Sequence, residues 1–448
     1  MSQNHSLIRY ISNYTKRMMK MDKYEVAIVG GGIAGLTAAI YAAKAGKRTI
    51  VLEQQKRFGG RAITNKKQGL YFNLGSHALY KGEAYEAFRE LGLRLEGSSP
   101  SIHAHGMWKE QIVPLPTSTT SLFQTPLLSF AGKFELAKLF IKLRKIDTSV
   151  WDQISIRDWI ETQLHDPMLR NVFYSLLRTS TYVLAPELHA AGPALKQLQR
   201  SLQGVLYLDK GWGTLVEELR ERAGQLGVEL VSDCKVGVIE HQDQKVHSIL
   251  CQDGTRIEAL NVILTTPPSI SHKLVPHADQ TALHTWNNQS IPVTVACLDV
   301  GLRQLPKPRH QFIYGLDQSI FLTNQSREGR PRPAILSDDG TQLISLFKYQ
   351  GPQPDAANDE AELEQMLDVV QPGWRNELVI RQFLPKMTVV HDFPHMKRTE
   401  DPGPAVPEID GLYVAGDWAS HGELLVDASV ASAKRAISRL LNTREEIK

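Results

Sequence analysis

The chain has 448 residues, room for two or three packed domains, and its 42% hydrophobic and 22% charged content is that of an ordinary globular protein. A net charge of +3 is too small to point to a nucleic-acid partner, and none is expected. The three cysteines, Cys234, Cys251 and Cys297, match neither a CxxC pair, a zinc site nor a secreted disulfide framework, so a reducing cytoplasm is the expected compartment.

Met1 to Lys20 mixes polar and basic residues and lacks the continuous apolar core of a secretory signal; Met21 reads as a natural start, with an arm before it. No apolar run approaches the ~18 to 20 residues that span a bilayer. Tyr24 to Val29 is a short β-rich run ending in Gly30-Gly31-Gly32-Ile33-Ala34-Gly35, a GxGxxG pattern. Gly30 permits the tight turn, Gly32 lets backbone approach a pyrophosphate, and Gly35 lets the next helix pack against the strand. That helix, Ile33 to Ala45, is Ala-rich, stops at Gly46, and would turn its positive end to phosphate. A second strand, Arg48 to Leu52, ends at Glu53, where a carboxylate suits an unphosphorylated adenosine ribose. A dinucleotide follows, FAD or NAD rather than NADP.

Glu53 is extended by Gln54-Gln55-Lys56-Arg57-Phe58-Gly59-Gly60-Arg61-Ala62, where glycines allow close approach and Arg61 offers a fork to a diphosphate. Asn73-Leu74-Gly75-Ser76-His77-Ala78 follows, with a glycine suited to close approach and a histidine that is either near a ring or structural. Residues 96–205 read as mainly helical. Phe130, Phe134, Ala137 and Ile141 share one helix face, with Lys133, Lys138, Lys142, Arg144 and Lys145 around and beyond it. An ordinary surface helix with that face in the core is expected; the alternative is peripheral membrane contact that admits an apolar substrate.

Lys210 to Leu215 opens a helix running to about Gln225, followed by a strand at Val228 to Val231, the run Cys234 to Ile239, two more strand-like runs, and Pro267-Pro268. Strands are expected at Pro292 to Val300, Phe312 to Tyr314, Ile320 to Thr323 and Leu343 to Tyr349. Neither His103-Ala104-His105 nor His391 to His395 has the context of a metal site, and no metal is expected. At the C-terminus, Leu412 to Ala415 reads as a strand ending in Gly416-Asp417, and a helix begins near Val426, Asp427 and Ala428, whose small residues suit a flat ring. Asp427 reads equally as an N-cap.

These separated stretches resemble the superfamily of flavin amine oxidases, phytoene desaturases and protoporphyrinogen oxidases. The resemblance implies FAD, with Gly60 and Arg61 in the second nucleotide motif and Gly75, Ser76 and His77 on the way to the isoalloxazine. It also implies a Val236 backbone group on the adenine, and Asp417 accepting from a ribityl hydroxyl. The implied fold is α/β: a Rossmann-type FAD-binding domain from residues 22–95, 206–275 and 400–448, with an inserted α+β substrate domain from residues 96–205 and 276–399. Amine oxidases of the family carry a lysine in the first strand of the second substrate block. Val293, Thr294 and Val295 stand there instead, which leans toward the desaturase branch; Lys348 is the lysine to reconsider. The expected activity is hydride removal from a hydrophobic small molecule, isoprenoid or carotenoid in type, with oxygen or a quinone as acceptor and no assigned catalytic residue. The rivals are an amine or amino-acid oxidase, a flavin-dependent isomerase, and a non-catalytic escort-type binding protein.

Overall fold

The computed structural model describes residues 23–75, 77–101, 103–116, 122 and 125–442; the expectations for Met1 to Lys20, Met21 and Ser76 lie outside them. A five-stranded parallel sheet runs in the order Glu229–Val231, Thr49–Leu52, Val26–Val29, Val262–Leu264, Leu412–Val414. All but the first of these strands are buried along their whole length, as a parallel sheet covered on both faces requires. Helices Ile33–Lys44, Gly213–Gln225 and Leu425–Asn442 cover one face. The run of alanines in the first helix lets its neighbours approach closely on both sides. Over the other face lie an antiparallel meander, Val236–Gln242, Lys245–Cys251 and Arg256–Glu258, and two short helices, Pro268–Leu274 and Ala282–Gln289.

The second half is built on a seven-stranded sheet in the order Leu378–Val390, Val293–Leu302, Gln342–Tyr349, Ile320–Asn324, Phe312–Gly315, His105–Trp108, Gln111–Pro114. Side chains alternate across it. Ala296, Leu298, Val300, Ile344 and Leu346 pack with the helix Ala356–Val370. Val295, Cys297, Phe347 and Tyr349 face the other way, against Val172 of the helix Pro167–Thr181. Three strands of this sheet depart from the sequence reading. His105–Trp108 and Gln111–Pro114 lie in the block read as mainly helical, and their four-residue length is too short to show a period. Leu378–Val390 carries Arg381, Pro385 and Lys386; it is the sheet's edge, where a missing N–H and charged residues are tolerated.

The helix Phe130–Leu143 corrects a further expectation. Its Phe130, Phe134, Ala137, Ile141 face is not in the core: Phe130 is 86% exposed, Phe134 72% and Ile141 66%. The helix carries a second apolar stripe, Leu136, Leu139 and Leu143, and that one is buried. Gly132 decides the choice: a Cβ there would lie 2.4 Å from Asp166 Oδ2, so the glycine side docks against the start of the helix Pro167–Thr181. Glu135 locks it there, accepting the backbone N–H groups of His165 and Asp166 at 2.7 and 3.0 Å.

Candidate functional site

The first strand delivers Gly30 into a turn with φ +109°, where its N–H donates to Leu52 O at 2.8 Å. The three glycines of the motif sit in different surroundings. A Cβ on Gly35 would lie 1.9 Å from Gly30 O, so helix and turn touch there. Among the described residues, a Cβ on Gly32 would meet nothing within 4 Å. Glu53 closes the turn: Oε2 accepts from Gly31 N at 2.7 Å and Oε1 from Gln55 N at 2.8 Å. Gly59 N donates to Gly31 O at 2.8 Å, and the Cα of Gly32 lies 3.6 Å from where a Gly60 Cβ would stand. The two glycine motifs therefore form the walls of one cradle, open beside Gly32 and Gly60 and above the N-terminus of the first helix, where Ile33 and Ala34 make the first turn. An anionic pyrophosphate fits such a place. Gln54 is exposed next to it.

The returning segment lies along the same edge. Asp233 N donates to Gln55 O at 3.0 Å and Cys234 N to Glu53 O at 2.9 Å, which brings Val236, itself buried, past Glu53. Cys234 and Cys251, the register partner of Val236, meet here, Sγ to Sγ 3.0 Å. The spacing of 17 residues gave no sign of this, because a hairpin rather than a short loop joins them.

At the far end of the cradle, Arg61 Nη1 donates to Asp417 Oδ2 at 2.9 Å and to Val389 O at 2.6 Å. His391 N also donates to Asp417 Oδ2, at 2.9 Å, and the His391 ring lies 3.3 Å from Oδ1. Burial opposes ionisation of Asp417, but Arg61 and His391 outweigh it and hold its carboxyl well below the usual carboxylate range. Arg61 keeps 39% of its side-chain surface exposed, so these bonds leave part of its fork accessible. Gly416, at φ +142°, is clamped by Ser432 Oγ, which accepts from its N–H and donates to its carbonyl, both at 2.9 Å.

His77 donates from Nδ1 to Gly75 O at 2.9 Å, and its ring sits 5.0 Å from that of Trp212. Burial lowers its pKa, so it is neutral at pH 7. A Cβ on Gly75 would lie 2.4 Å from Met387 Cε and 3.7 Å from the Phe347 ring. This glycine thus brings the nucleotide half against the face of the large sheet that carries Tyr314, Phe321, Phe347 and Tyr349. Tyr182 joins them, 6.0 Å from both Phe347 and Tyr349. Burial keeps the phenols of Tyr182, Tyr314 and Tyr349 protonated far above their ordinary range. Sequence reasoning missed this aromatic wall, whose members are scattered over residues 182–349 and share no motif.

Two candidates take other roles. Asp427 is inside its own helix, and its Oδ1 accepts from Ala84 N at 2.8 Å, capping the helix Glu83–Glu90 from a distance. Burial raises its pKa to about 6, against the pull of Arg200 3.4 Å from Oδ2. Val426 and Ala428 flank it at the start of the C-terminal helix. Lys348 lies on the helix-covered face of the sheet, paired with Asp359 at 3.1 Å and Glu362 at 2.6 Å, and so faces away from Gly75. Asp299 does share the aromatic side, further along its strand, where it is bonded to Ser345, Cys297 and Gln382.

Comparison with known proteins places the chain in a family. The family model for flavin containing amine oxidoreductases matches residues 33–441. A probable flavin-containing monoamine oxidase A of Dictyostelium discoideum is 23% identical over 288 residues, 56% of this chain and 59% of that protein. The 15-cis-phytoene desaturase of Solanum lycopersicum is 25% identical over 283 residues, 56% of this chain and 48% of that one. The chain thus spans less than two thirds of these curated relatives. Among solved structures, an oxidoreductase from Methanosarcina mazei superposes with a TM-score of 0.75 at 19% identity, over 92% of this chain and 99% of that one. A putative protoporphyrinogen oxidase from Exiguobacterium gives 0.71 at 20%, over 94% and 100%. The fold is therefore that of these enzymes, and the chain belongs to the flavin-containing amine oxidoreductases, a family of FAD-dependent oxidoreductases.

Proposed function

We propose that this protein removes hydride from a hydrophobic small molecule, in the manner of a desaturase acting on an isoprenoid or carotenoid chain. The observation that carries the reading is the wall beside Gly75. It is aromatic and aliphatic, its phenols are uncharged, and Lys348, between Phe347 and Tyr349 on the same strand, points to the opposite face. A charged amine entering such a place would lose its hydration with little in return, whereas a polyene would bury apolar surface at roughly 25 cal/mol per Å².

FAD, when bound, supplies the hydride acceptor at its ring, and oxygen or a quinone takes the electrons onward. The chain's own part is to hold and exclude. The Gly30–Gly35 turn would hold the pyrophosphate and Glu53 the adenosine ribose, while Arg61 would reach the diphosphate and Asp417 the ribityl chain. His77, neutral and fixed by Gly75 O, presents no positive charge to the substrate. Tyr182, Phe347 and Tyr349 orient an apolar chain and keep water out. Loss of the second hydrogen as a proton needs no dedicated base where the cation formed is stabilised by conjugation, and none is assigned.

The exposed stripe Phe130, Phe134 and Ile141 supports a further part of the reading, contact with a membrane surface from which such a substrate is drawn. Lys133 lies to one side of the stripe and Lys138 and Lys142 to the other, suited to anionic headgroups.

The test is anaerobic. The flavin-loaded protein is mixed with linear polyenes and, separately, with primary and polyamines, and the flavin absorbance is followed. Bleaching by polyenes alone is expected. Bleaching by amines would replace this reading with an amine oxidase, and product isomerised without bleaching would make it an isomerase.

A further inference from the structure

Away from the cradle, on the cap formed by the helices Pro268–Leu274 and Ala282–Gln289, three potential ligands converge. His272 comes from the first helix, Asp279 from the turn Ala278–Gln280, and His284 from the second helix. Asp279 Oδ1 lies 3.1 Å from His272 Nε2 and 3.2 Å from His284 Nδ1, and all three atoms lie within 4.8 Å of one another. An ion with bonds near 2.0–2.1 Å and tetrahedral angles holds its ligand atoms about 3.3 Å apart. Two edges of that triangle are already at this length.

A simple hydrogen-bonded cluster does not account for His272. Its Nε2 is shut off from solvent and makes no hydrogen bond among the described residues, although the carboxylate oxygen is only 3.1 Å away. The distance is that of a bond but the direction is not. A nitrogen aimed beside the oxygen is the arrangement expected where both point at a third atom. The rings of His272 and His284 are 5.7 Å apart and inclined at 46°, so they do not stack. His284 has a partner on its other side, Asn288 Nδ2, 2.8 Å from Nε2. With its amide turned over, Asn288 would accept from Nε2–H, the tautomer that frees Nδ1 for a metal.

We propose that His272, Asp279 and His284 form a site for a zinc-class divalent ion, with water at the fourth position on the side where Asp279 is exposed. Two imidazoles and one carboxylate suit zinc and its late first-row neighbours, and do not suit calcium or magnesium, which take oxygen ligands. The site clips the two helices together. Leu274, Ala278, Leu283 and Trp286 from this cap are packed beneath the nucleotide-binding sheet, and the Trp286 ring lies 6.3 Å from that of Trp418, next to Asp417. The ion's role is therefore structural and independent of the redox chemistry.

The test uses full-length, FAD-loaded protein cleared of metal with a chelator and titrated by calorimetry with zinc sulfate, magnesium chloride or calcium chloride. One equivalent of zinc should bind and raise the melting temperature, with no comparable effect of magnesium or calcium. His272→Ala and His284→Ala should each weaken that binding by more than about tenfold, as loss of even an outer-shell partner does at such sites. Both variants should keep the metal-free melting temperature and flavin content of the parent, which shows that they fold. No zinc binding by the parent, equal binding by both variants, or binding of magnesium as tight as zinc would overturn the assignment. Because flavin absorbance is recorded in the same samples, failure of the metal site is read separately from failure of the FAD site.

Discussion

Gly32 and Gly35 are three residues apart in one motif, yet their surroundings predict opposite consequences for the same added methyl. Gly35→Ala would drive a Cβ into the Gly30 carbonyl, backbone against backbone, so the turn must open. Loss of stability by several kcal/mol, or of soluble protein, is expected, measured by denaturant titration. Gly32 has φ −79° and ψ −174°, ordinary for alanine, and open space around it. Gly32→Ala should therefore leave the FAD-free protein within about 0.5 kcal/mol of its parent, as substitutions without a structural cost do. FAD affinity, measured by ultrafiltration, should still fall, because the methyl occupies the pyrophosphate's approach. Equal FAD affinity in Gly32→Ala and the parent would place the cofactor elsewhere. Asp299 makes a pH-dependent case. Burial lifts its pKa to about 6 from 3.8, against the hydrogen bonds of Ser345, Cys297 and Gln382. Between those values the folded chain holds a proton that the unfolded chain has lost, so this contribution to stability declines as pH rises and is fully unfavourable above about pH 6. Asp299→Asn should therefore gain stability at pH 7.5, by no more than about 2 to 3 kcal/mol, and lose that advantage near pH 4. Unfolding curves at both pH values decide it; an advantage independent of pH would show that the charge is not responsible.

The helix Phe130–Leu143 shows what a helical pattern can and cannot tell at the scale of an element. Two apolar stripes are present in its sequence, and periodicity alone weighs them equally. What selects Leu136, Leu139 and Leu143 for burial is Gly132 against Asp166 and the bonds from Glu135 to the next helix, contacts between residues about 30 apart. The βαβ start behaves oppositely. Strand, glycine turn, alanine helix and acid lie within 31 residues and each depends on its immediate neighbours, so their bounds were legible to within two residues. The exposed stripe carries its own prediction. Phe130→Ser with Phe134→Ser removes side chains that touch little, so the melting temperature should stay near that of the parent. Flotation with vesicles containing phosphatidylserine should be lost in the variant if this face meets a membrane. Flotation equal in parent and variant, or absent in both, would remove the membrane from the proposed function.

For the whole molecule, the α/β fold and the flavin family were legible because the motifs that mark them fall at the start, middle and end of the chain and each contains its own chemistry. The aromatic wall and the His272–Asp279–His284 cluster were not, since they exist only where strands and helices distant in sequence, or a turn of unforeseen shape, bring side chains together. Interleaving also has a thermodynamic outcome. The parallel sheet takes its strands from three separate stretches, and the seven-stranded sheet is inserted between them. Neither half can unfold without pulling on the loops that anchor the other. A single calorimetric transition is expected for the FAD-loaded chain, with calorimetric and van't Hoff enthalpies in agreement; two resolved transitions would show that the halves are independent.

The edge strand Leu378–Val390 is tied to the nucleotide half through Arg61 on Val389 O and through Met387 beneath Gly75. A lesion on that outer border would accordingly reveal itself first as leakage of yellow colour on dialysis. Conversely, a molecule that has shed its dinucleotide would offer its greasy guest a slackened binding wall, so loading and recognition should rise and fall together.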